Sequence, residues 1–264
     1  QLPRMIRSPL YGALARAVGA RVDEAELPLD EYPSLGAFFA RRLREGVRPI
    51  ASEPDAVVVP CDGVVAISGS ADDGQMIQAK GLNYSLRQLL VDERRADHLQ
   101  GGTYITFYLS YRDYHRVHSP VSGHLLGYDY IPGTFLPVNP LFSRSVDRLM
   151  TRNERVVFHL DTSGGAVALV MVGALGVSNI EIAHEPNQNF NETRYLRSNR
   201  GPSRVRFDHP IEIAQGDELG AFNLGSTTIV VFQPGAIELQ PLDAGVPTRV
   251  GERLGRVRNR ADRV

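Results

Sequence analysis

From residue 56 to 232 the chain is divided into short runs rich in β-branched residues, separated by Gly, Pro, Asp and Asn. The runs cover 56–59, 64–68, 103–109, 123–131, 155–160, 166–174, 180–183, 218–222 and 227–232. Runs of this length bounded by turn residues predict strands rather than helices. One helix interrupts them, capped by Ser85 and carrying Leu86, Leu89 and Leu90. A chain of 264 residues, 42% hydrophobic and 22% charged, can bury a sizeable core around these strands.

The first 50 residues have a different texture. Leu2, Met5, Ile6, Leu10, Leu14 and Val18 recur at helical spacing, with Pro9 predicting a kink or restart. Ser34 is an N-cap signal for a second helix with Leu35, Phe38, Phe39 and Leu43 on one face, Arg41, Arg42 and Arg44 off it, and Gly46 as its end. After Pro241 apolar periodicity fades and the chain is expected to be loose. The fold class is therefore α+β, a mainly-β core with N-terminal amphipathic helices. It divides into a helical segment 1–50, a β core 51–240 and a basic C-terminal tail 241–264.

Net charge is −1, which argues against a nucleic-acid binder held by bulk positive charge. The charge is uneven: residues 1–50 carry eight Arg against six acids, and 248–264 six Arg against two. Basic ends around an acidic body suit an anionic membrane surface, whereas on charge alone solvated helices and a solvated tail explain them more simply. No apolar run reaches the roughly 20 residues of a membrane span, and there is no signal-peptide pattern. The single cysteine, Cys61, excludes an intrachain disulfide and a Cys-based zinc cluster. Of 29 basic residues only Lys80 is lysine. A pyridoxal-phosphate enzyme needs a lysine, and the neighbours of Lys80, Ala79 and Gly81, do not suit a biotin- or lipoyl-type carrier.

Four clusters hold residue types capable of chemistry: Pro60-Cys61-Asp62-Gly63; Tyr111 to Pro120, with His115 and His118; Asn153-Glu154-Arg155, expected to be a structural ion pair; and Phe222 to Val230, with a Gly225-Ser226 step opening a β run. A metal at His115 and His118 would need a third ligand such as His184 or Glu185. No HExxH-type pattern supports one, so no metal is expected. Asp62, His118 (or His115) and Ser226 supply the types of a Ser-His-Asp arrangement. No G-x-S-x-G elbow is present, and a strand rather than a helix follows Ser226, which disfavours an ordinary α/β-type serine hydrolase.

The chain also resembles phosphatidylserine decarboxylases. The resemblance rests on Leu2-Pro3-Arg4, Tyr32-Pro33-Ser34 through Leu43, Arg48-Pro49-Ile50, Pro60 to Gly63, Lys80 to Leu86, Tyr108-Leu109-Ser110, Asp113 to His118, Ile131-Pro132-Gly133, Val138-Asn139, Asn153 to Arg155, Val172-Gly173-Ala174, Gly216 to Gly220 and Leu224-Gly225-Ser226-Thr227. These run in order from about residue 2 to 240, and the last element together with Tyr114 to His118 is the most specific. The N-terminal helices are similar to the bacterial and mitochondrial branch. Cys61, Ser178-Asn179 and Ala214-Gln215 depart from the usual pattern without removing a candidate catalytic group.

The resemblance implies a proenzyme that cleaves itself between Gly225 and Ser226. Ser226 attacks the Gly225 carbonyl, and β-elimination then leaves a pyruvoyl group at the head of a 226–264 chain that pairs with 1–225. His118 is implied as the base, oriented by Asp62, with Thr227 and nearby amides as candidates for the oxyanion. The pyruvoyl ketone would take the amine of phosphatidylserine in a Schiff base, CO₂ would leave, and His115, or else His118, would protonate the carbon to give phosphatidylethanolamine. Tyr114, Arg112 and Arg116 are candidates to bind phosphate or carboxylate. A homodimer and a peripheral position on the cytoplasmic face of a bacterial membrane are implied at the family level, and a lipid substrate turns the N-terminal helices towards membrane contact. The other readings are a pyruvoyl decarboxylase of a soluble amino acid, a serine hydrolase with Ser226 intact, and a non-catalytic β-rich binding module.

Overall fold

The computed structural model describes residues 3–79, 82–174, 180–184, 201–223 and 226–260. Its centre is an all-antiparallel sheet of eight strands. In spatial order these are Ser203–Ile213, Gly123–Ile131, Arg155–Thr162, Gly165–Val172, Ser226–Phe232, Thr103–Leu109, Gly63–Ser70 and Pro247–Thr248. The run Ser226–Phe232 is buried at every position. Its β-branched side chains are covered on both faces, which is why it reads as a continuous run rather than an alternating one. It pairs with Thr103–Leu109 on one side and Gly165–Val172 on the other, so Ser226 lies opposite Leu109 and Thr227 opposite both Tyr108 and Val172. Two three-stranded sheets accompany this one, besides a two-stranded pair of Gln75–Ala79 and Leu82–Ser85. The first joins Ile180–Ile182, Glu218–Phe222 and Arg116–His118; the second joins Ala56–Val58, Arg253–Val257 and Ile237–Leu239. A mostly-strand core with N-terminal helices is thus the observed architecture.

The helices differ from expectation in instructive ways. Helix Arg4–Val18 runs through Pro9 without a break in assignment and ends on Gly19 in the left-handed region. Its buried face is Tyr11 and Ala15, which pack with Tyr32 and Phe38 in a small cluster of their own. Met5, Ile6, Leu10 and Leu14 of the predicted stripe are exposed. Ser34 does cap the second helix, accepting from the Ala37 amide at 3.1 Å. That helix, Leu35–Phe39, ends well short of Gly46. Residues 42–44 leave it to pair with 24–26, through Glu26 N–H to Arg42 O and Arg44 N–H to Glu24 O, both 2.9 Å. Tertiary pairing overrides the apolar periodicity there. The helix capped by Ser85, Leu86–Leu90, is joined by Glu93–Leu99 and two further short helices, Pro140–Ser145 and Leu149–Arg152, that the sequence pattern did not signal. The segment after Pro241 is not loose: Pro247–Thr248 edges the large sheet and Arg253–Val257 is the middle strand of a small one.

The expected ion pair at Asn153-Glu154-Arg155 takes another form. Arg155 is fully buried and donates to four backbone carbonyls, of Gln88, Leu89, Thr151 and Asn153, at 2.7–3.0 Å. Glu154 accepts from the Tyr130 hydroxyl at 2.9 Å. The cluster ties the short helices to the sheet.

Candidate active site

Ser226 is fully buried, and its hydroxyl has no hydrogen-bond partner. The Thr227 hydroxyl, next along the strand, is also buried without a partner, and the Thr228 hydroxyl lies beside the Cys61 thiol. Core hydroxyls are normally satisfied, so the bare Ser226 and Thr227 hydroxyls mark a locally unsatisfied centre. Gly225, with Leu224, lies outside the described residues, as do Lys80, Glu185 and the Ser178-Asn179 pair.

His115 leads into the strand Arg116–His118, and its carbonyl accepts from the Phe222 amide at 2.9 Å. That hydrogen bond fixes it against the segment leading to Ser226. The ring is fully buried, 5.9 Å edge-on from Phe39. The ring lies near the Ser110 and Tyr111 backbone, and neither nitrogen reaches ordinary hydrogen-bond geometry. Burial, reinforced by the Arg41 charge, pushes the imidazole down to about 3, so it is neutral at pH 7.

His118 is held differently. Its Nδ1 lies 2.7 Å from the Gly216 carbonyl. A carbonyl can only accept, so Nδ1 carries the proton and Nε2 accepts from the Tyr114 hydroxyl at 3.1 Å. Tyr114 also stacks on the ring, with centroids 5.7 Å apart. Gly216 sits at φ +89°, and a Cβ there would meet Ile50 at 2.8 Å, so glycine is needed for the turn that presents this carbonyl. Burial lowers the His118 pKa, with the Gly216 carbonyl and the charges of Glu218 and Asp62 opposing.

Asp62 is not hydrogen-bonded to His118. Its carboxylate accepts from Arg48, Nε at 3.0 and 3.1 Å and Nη2 at 2.5 Å, and from the Val250 amide at 2.9 Å. The same Nη2 reaches Glu24 at 2.7 Å, so one buried guanidinium bridges two carboxylates. Asp62 lines a cavity of about 310 Å³ and His118 an adjoining one of about 390 Å³, and Arg48 and Tyr114 belong to the walls of both. Gly63, next to Asp62, packs so tightly on the Tyr108 carbonyl that a Cβ would lie 2.3 Å from it. Tyr108 in turn pairs with Thr227. Two strand spacings, about 10 Å, therefore separate the Asp62 turn from the head of the central strand.

Of the three side chains proposed to bind substrate, Tyr114 serves His118. Arg116 is taken by Glu218 and by the Ala40 carbonyl. Arg112 lies 3.6 Å from Asp113 at the cavity wall. Sequence reasoning gave no role to Arg48, Arg41 or Gly216. Arg48 and Gly216 stand in the Arg48-Pro49-Ile50 and Gly216-Asp217 elements, the only signal that could have drawn attention to them.

The buried imidazoles make folding acid-sensitive. His115, His118 and the sheet residue His159, bonded to Asp129 at 2.9 Å, all titrate below the ordinary histidine value because burial disfavours their charge. The unfolded chain therefore binds more protons than the folded one once pH falls below about 6.5. Stability should drop from there by up to about 1.4 kcal/mol per pH unit for each histidine, with Asp129, held below its usual range, adding to the loss at lower pH. Urea midpoints at pH 7.5, 6 and 5 check this, and a midpoint independent of pH would contradict it.

Buried hydroxyls and a buried imidazole without hydrogen-bond partners among the described residues point to an enzyme's centre rather than a packed core. A family model described as phosphatidylserine decarboxylase matches residues 35–256. A relative from Anaeromyxobacter sp. (strain K), described as a phosphatidylserine decarboxylase proenzyme, is 43% identical over 255 residues, covering 96% of this chain and 88% of the relative. Proteins of the same description from Myxococcus xanthus and Nitrosococcus oceani are 38% and 40% identical, covering 96% and 92% of this chain and 89% and 79% of their own. The chain belongs to the phosphatidylserine decarboxylase family and is an enzyme.

Proposed function

We propose that the chain cuts itself between Gly225 and Ser226 and then, with a pyruvoyl group made from Ser226, converts phosphatidylserine to phosphatidylethanolamine and CO₂. The observation that carries this most is the buried Ser226 hydroxyl with no partner at the head of the central strand. No hydrogen bond ties it down, and burial keeps bulk water from competing.

In the cleavage step Oγ adds to the Gly225 carbonyl carbon as its proton passes to a base. The C–N bond breaks, an ester forms and the Ser226 amine is freed. Loss of the Ser226 α-proton then expels Gly225 as a carboxylate. Water hydrolyses the remaining dehydroalanine, ammonia leaves, and a ketone heads the 226–264 chain. His118 is the base. Its Nδ1–H is committed to Gly216, so Nε2 takes the proton once Tyr114 yields it. Asp62 acts through its charge, which favours the protonated imidazole across the wall formed by Arg48 and Tyr114. The Thr227 hydroxyl, buried and unpartnered, is a donor available to the oxyanion.

The unsatisfied polar centre around Ser226 fits the pyruvoyl group, which supplies a carbonyl that takes the substrate amine and withdraws electrons as CO₂ departs. His115 then delivers a proton to the former α-carbon. It is neutral here, and an anion arriving beside Arg41 offsets the cation that helps to keep it so.

The exposed Met5, Ile6, Leu10 and Leu14 on the first helix support peripheral attachment to the cytoplasmic face of a bacterial membrane, where a lipid substrate resides. No helix among the described residues is long and apolar enough to cross a membrane.

The two histidines separate the two reactions. His118→Ala should leave the chain uncleaved. His115→Ala should still cleave yet lose at least about 100-fold in CO₂ release. A gel with a ¹⁴CO₂ assay reads both, and normal turnover in His115→Ala would remove it from the proton-delivery role.

A further inference from the structure

Among the described residues Arg41 has no carboxylate or hydrogen-bond partner. It is 2% exposed, its Nε and Nη1 have no hydrogen-bond partner, and its guanidinium lies 5.1 Å from the Phe38 ring centroid. It lines the 310 Å³ cavity beside Asp62, whose walls carry five arginines against three carboxylates. Each of those carboxylates already has donors: Glu24 has Arg21 and Arg48, Asp62 has Arg48 and the Val250 amide, and Asp113 has the Ser110 amide and hydroxyl. The surplus positive charge is therefore not answered within the cavity. A buried arginine left unpaired is costly, and an entering anion relieves that cost with a charge-assisted hydrogen bond.

We infer that Arg41 is the anchor for the phosphodiester of the lipid headgroup, a specificity determinant within the active site. This rests on the proposal that phosphatidylserine is the substrate. One argument favours the phosphodiester over the carboxylate: a cation gripping the carboxylate would stabilise the ground state that must give up its electrons, which opposes decarboxylation. Phosphates of the bulk bilayer are not candidates, since a side chain this buried is reached only by a headgroup that enters the cavity.

The test compares two soluble substrates of the full, self-cleaved enzyme: dihexanoyl phosphatidylserine, and an O-alkyl serine ether that lacks the phosphodiester. The parent should prefer the diester in kcat/KM by about 10–100-fold. Arg41→Met, which keeps an unbranched stem against Phe38, should abolish that preference mainly through KM, and Arg41→Lys should restore part of it. A preference that survives in Arg41→Met overturns the inference, as does a parent that has none. If Arg41→Met does not fold, competition in the parent decides: glycerophosphoethanolamine should inhibit at least tenfold more strongly than inorganic phosphate or acetate. Equal inhibition by phosphate would make this a free-phosphate site, stronger inhibition by acetate a carboxylate site, and either overturns the inference. A parent that releases no CO₂ from phosphatidylserine overturns the substrate proposal itself, and the headgroup assignment falls with it.

Discussion

Ser226→Ala is expected to leave a single uncleaved chain of about 29 kDa with less than about 10⁻⁴ of the parent's decarboxylase activity. In the proposed mechanism the effect is this large because one residue serves both stages: its hydroxyl oxygen moves the acyl group and leaves with Gly225, and its carbon skeleton becomes the ketone. Alanine differs only by that oxygen and enters a site where the hydroxyl made no hydrogen bond. The substitution should therefore cost no stability and may be scored at the parent's melting temperature. Ser226→Cys and Ser226→Thr keep a nucleophile and should cleave slowly. Cleavage of Ser226→Ala at the 225–226 bond, or activity in the uncut chain, would show that the chemistry lies elsewhere.

The second large effect is expected at Arg48. One guanidinium holds Asp62 and Glu24, and the three side chains are about nine-tenths buried. Arg48→Met leaves Asp62 without a cation beside Glu24, which keeps only the half-exposed Arg21. Breaking a buried pair of this kind costs about 3–5 kcal/mol, about 10 °C in melting temperature for a chain of this length. Self-cleavage should slow by at least about tenfold, because Asp62 loses the group that fixes it at the cavity wall. Adding Glu24→Gln removes the repulsion and should recover most of the stability. Cleavage should recover less, since Asp62 is still unanchored. Because Glu24 sits in the N-terminal segment and Asp62 in the turn before the large sheet, this arginine ties the helical segment to the catalytic wall. An Arg48→Met chain that melts and cleaves like the parent would refute that tie.

The strands most legible in the sequence are those covered on both faces, such as Ser226–Phe232 and Gly165–Val172, where burial demands uninterrupted β-branched runs. Ser203–Ile213, the longest strand, escaped notice for the opposite reason. It is the outer strand of the large sheet, alternates half-buried and exposed residues, and carries Pro210 near a register shift, so its charges and proline read as loop. The last strands were missed because their apolar residues are few and each has a partner about 190 residues earlier. The site divides in the same way. Ser226, His115, His118 and Asp62 were recognisable by type within local motifs. Their partners were not: Gly216 lies 98 residues from His118, and Val250 188 from Asp62, and no local spacing encodes such contacts. The expected link between Asp62 and His118 came from chemical type and from the family resemblance, and the structure routes each to a different partner.

The central claim is that Ser226 becomes the head of a second chain. Its most direct test is the intact mass of the smaller fragment of the purified protein. Cleavage with pyruvoyl formation predicts the 39-residue chain 226–264, lighter by one ammonia than the same fragment starting with serine, and reactive towards a carbonyl reagent. An unaltered serine terminus, or one intact chain that releases CO₂ from phosphatidylserine at full rate, would contradict it.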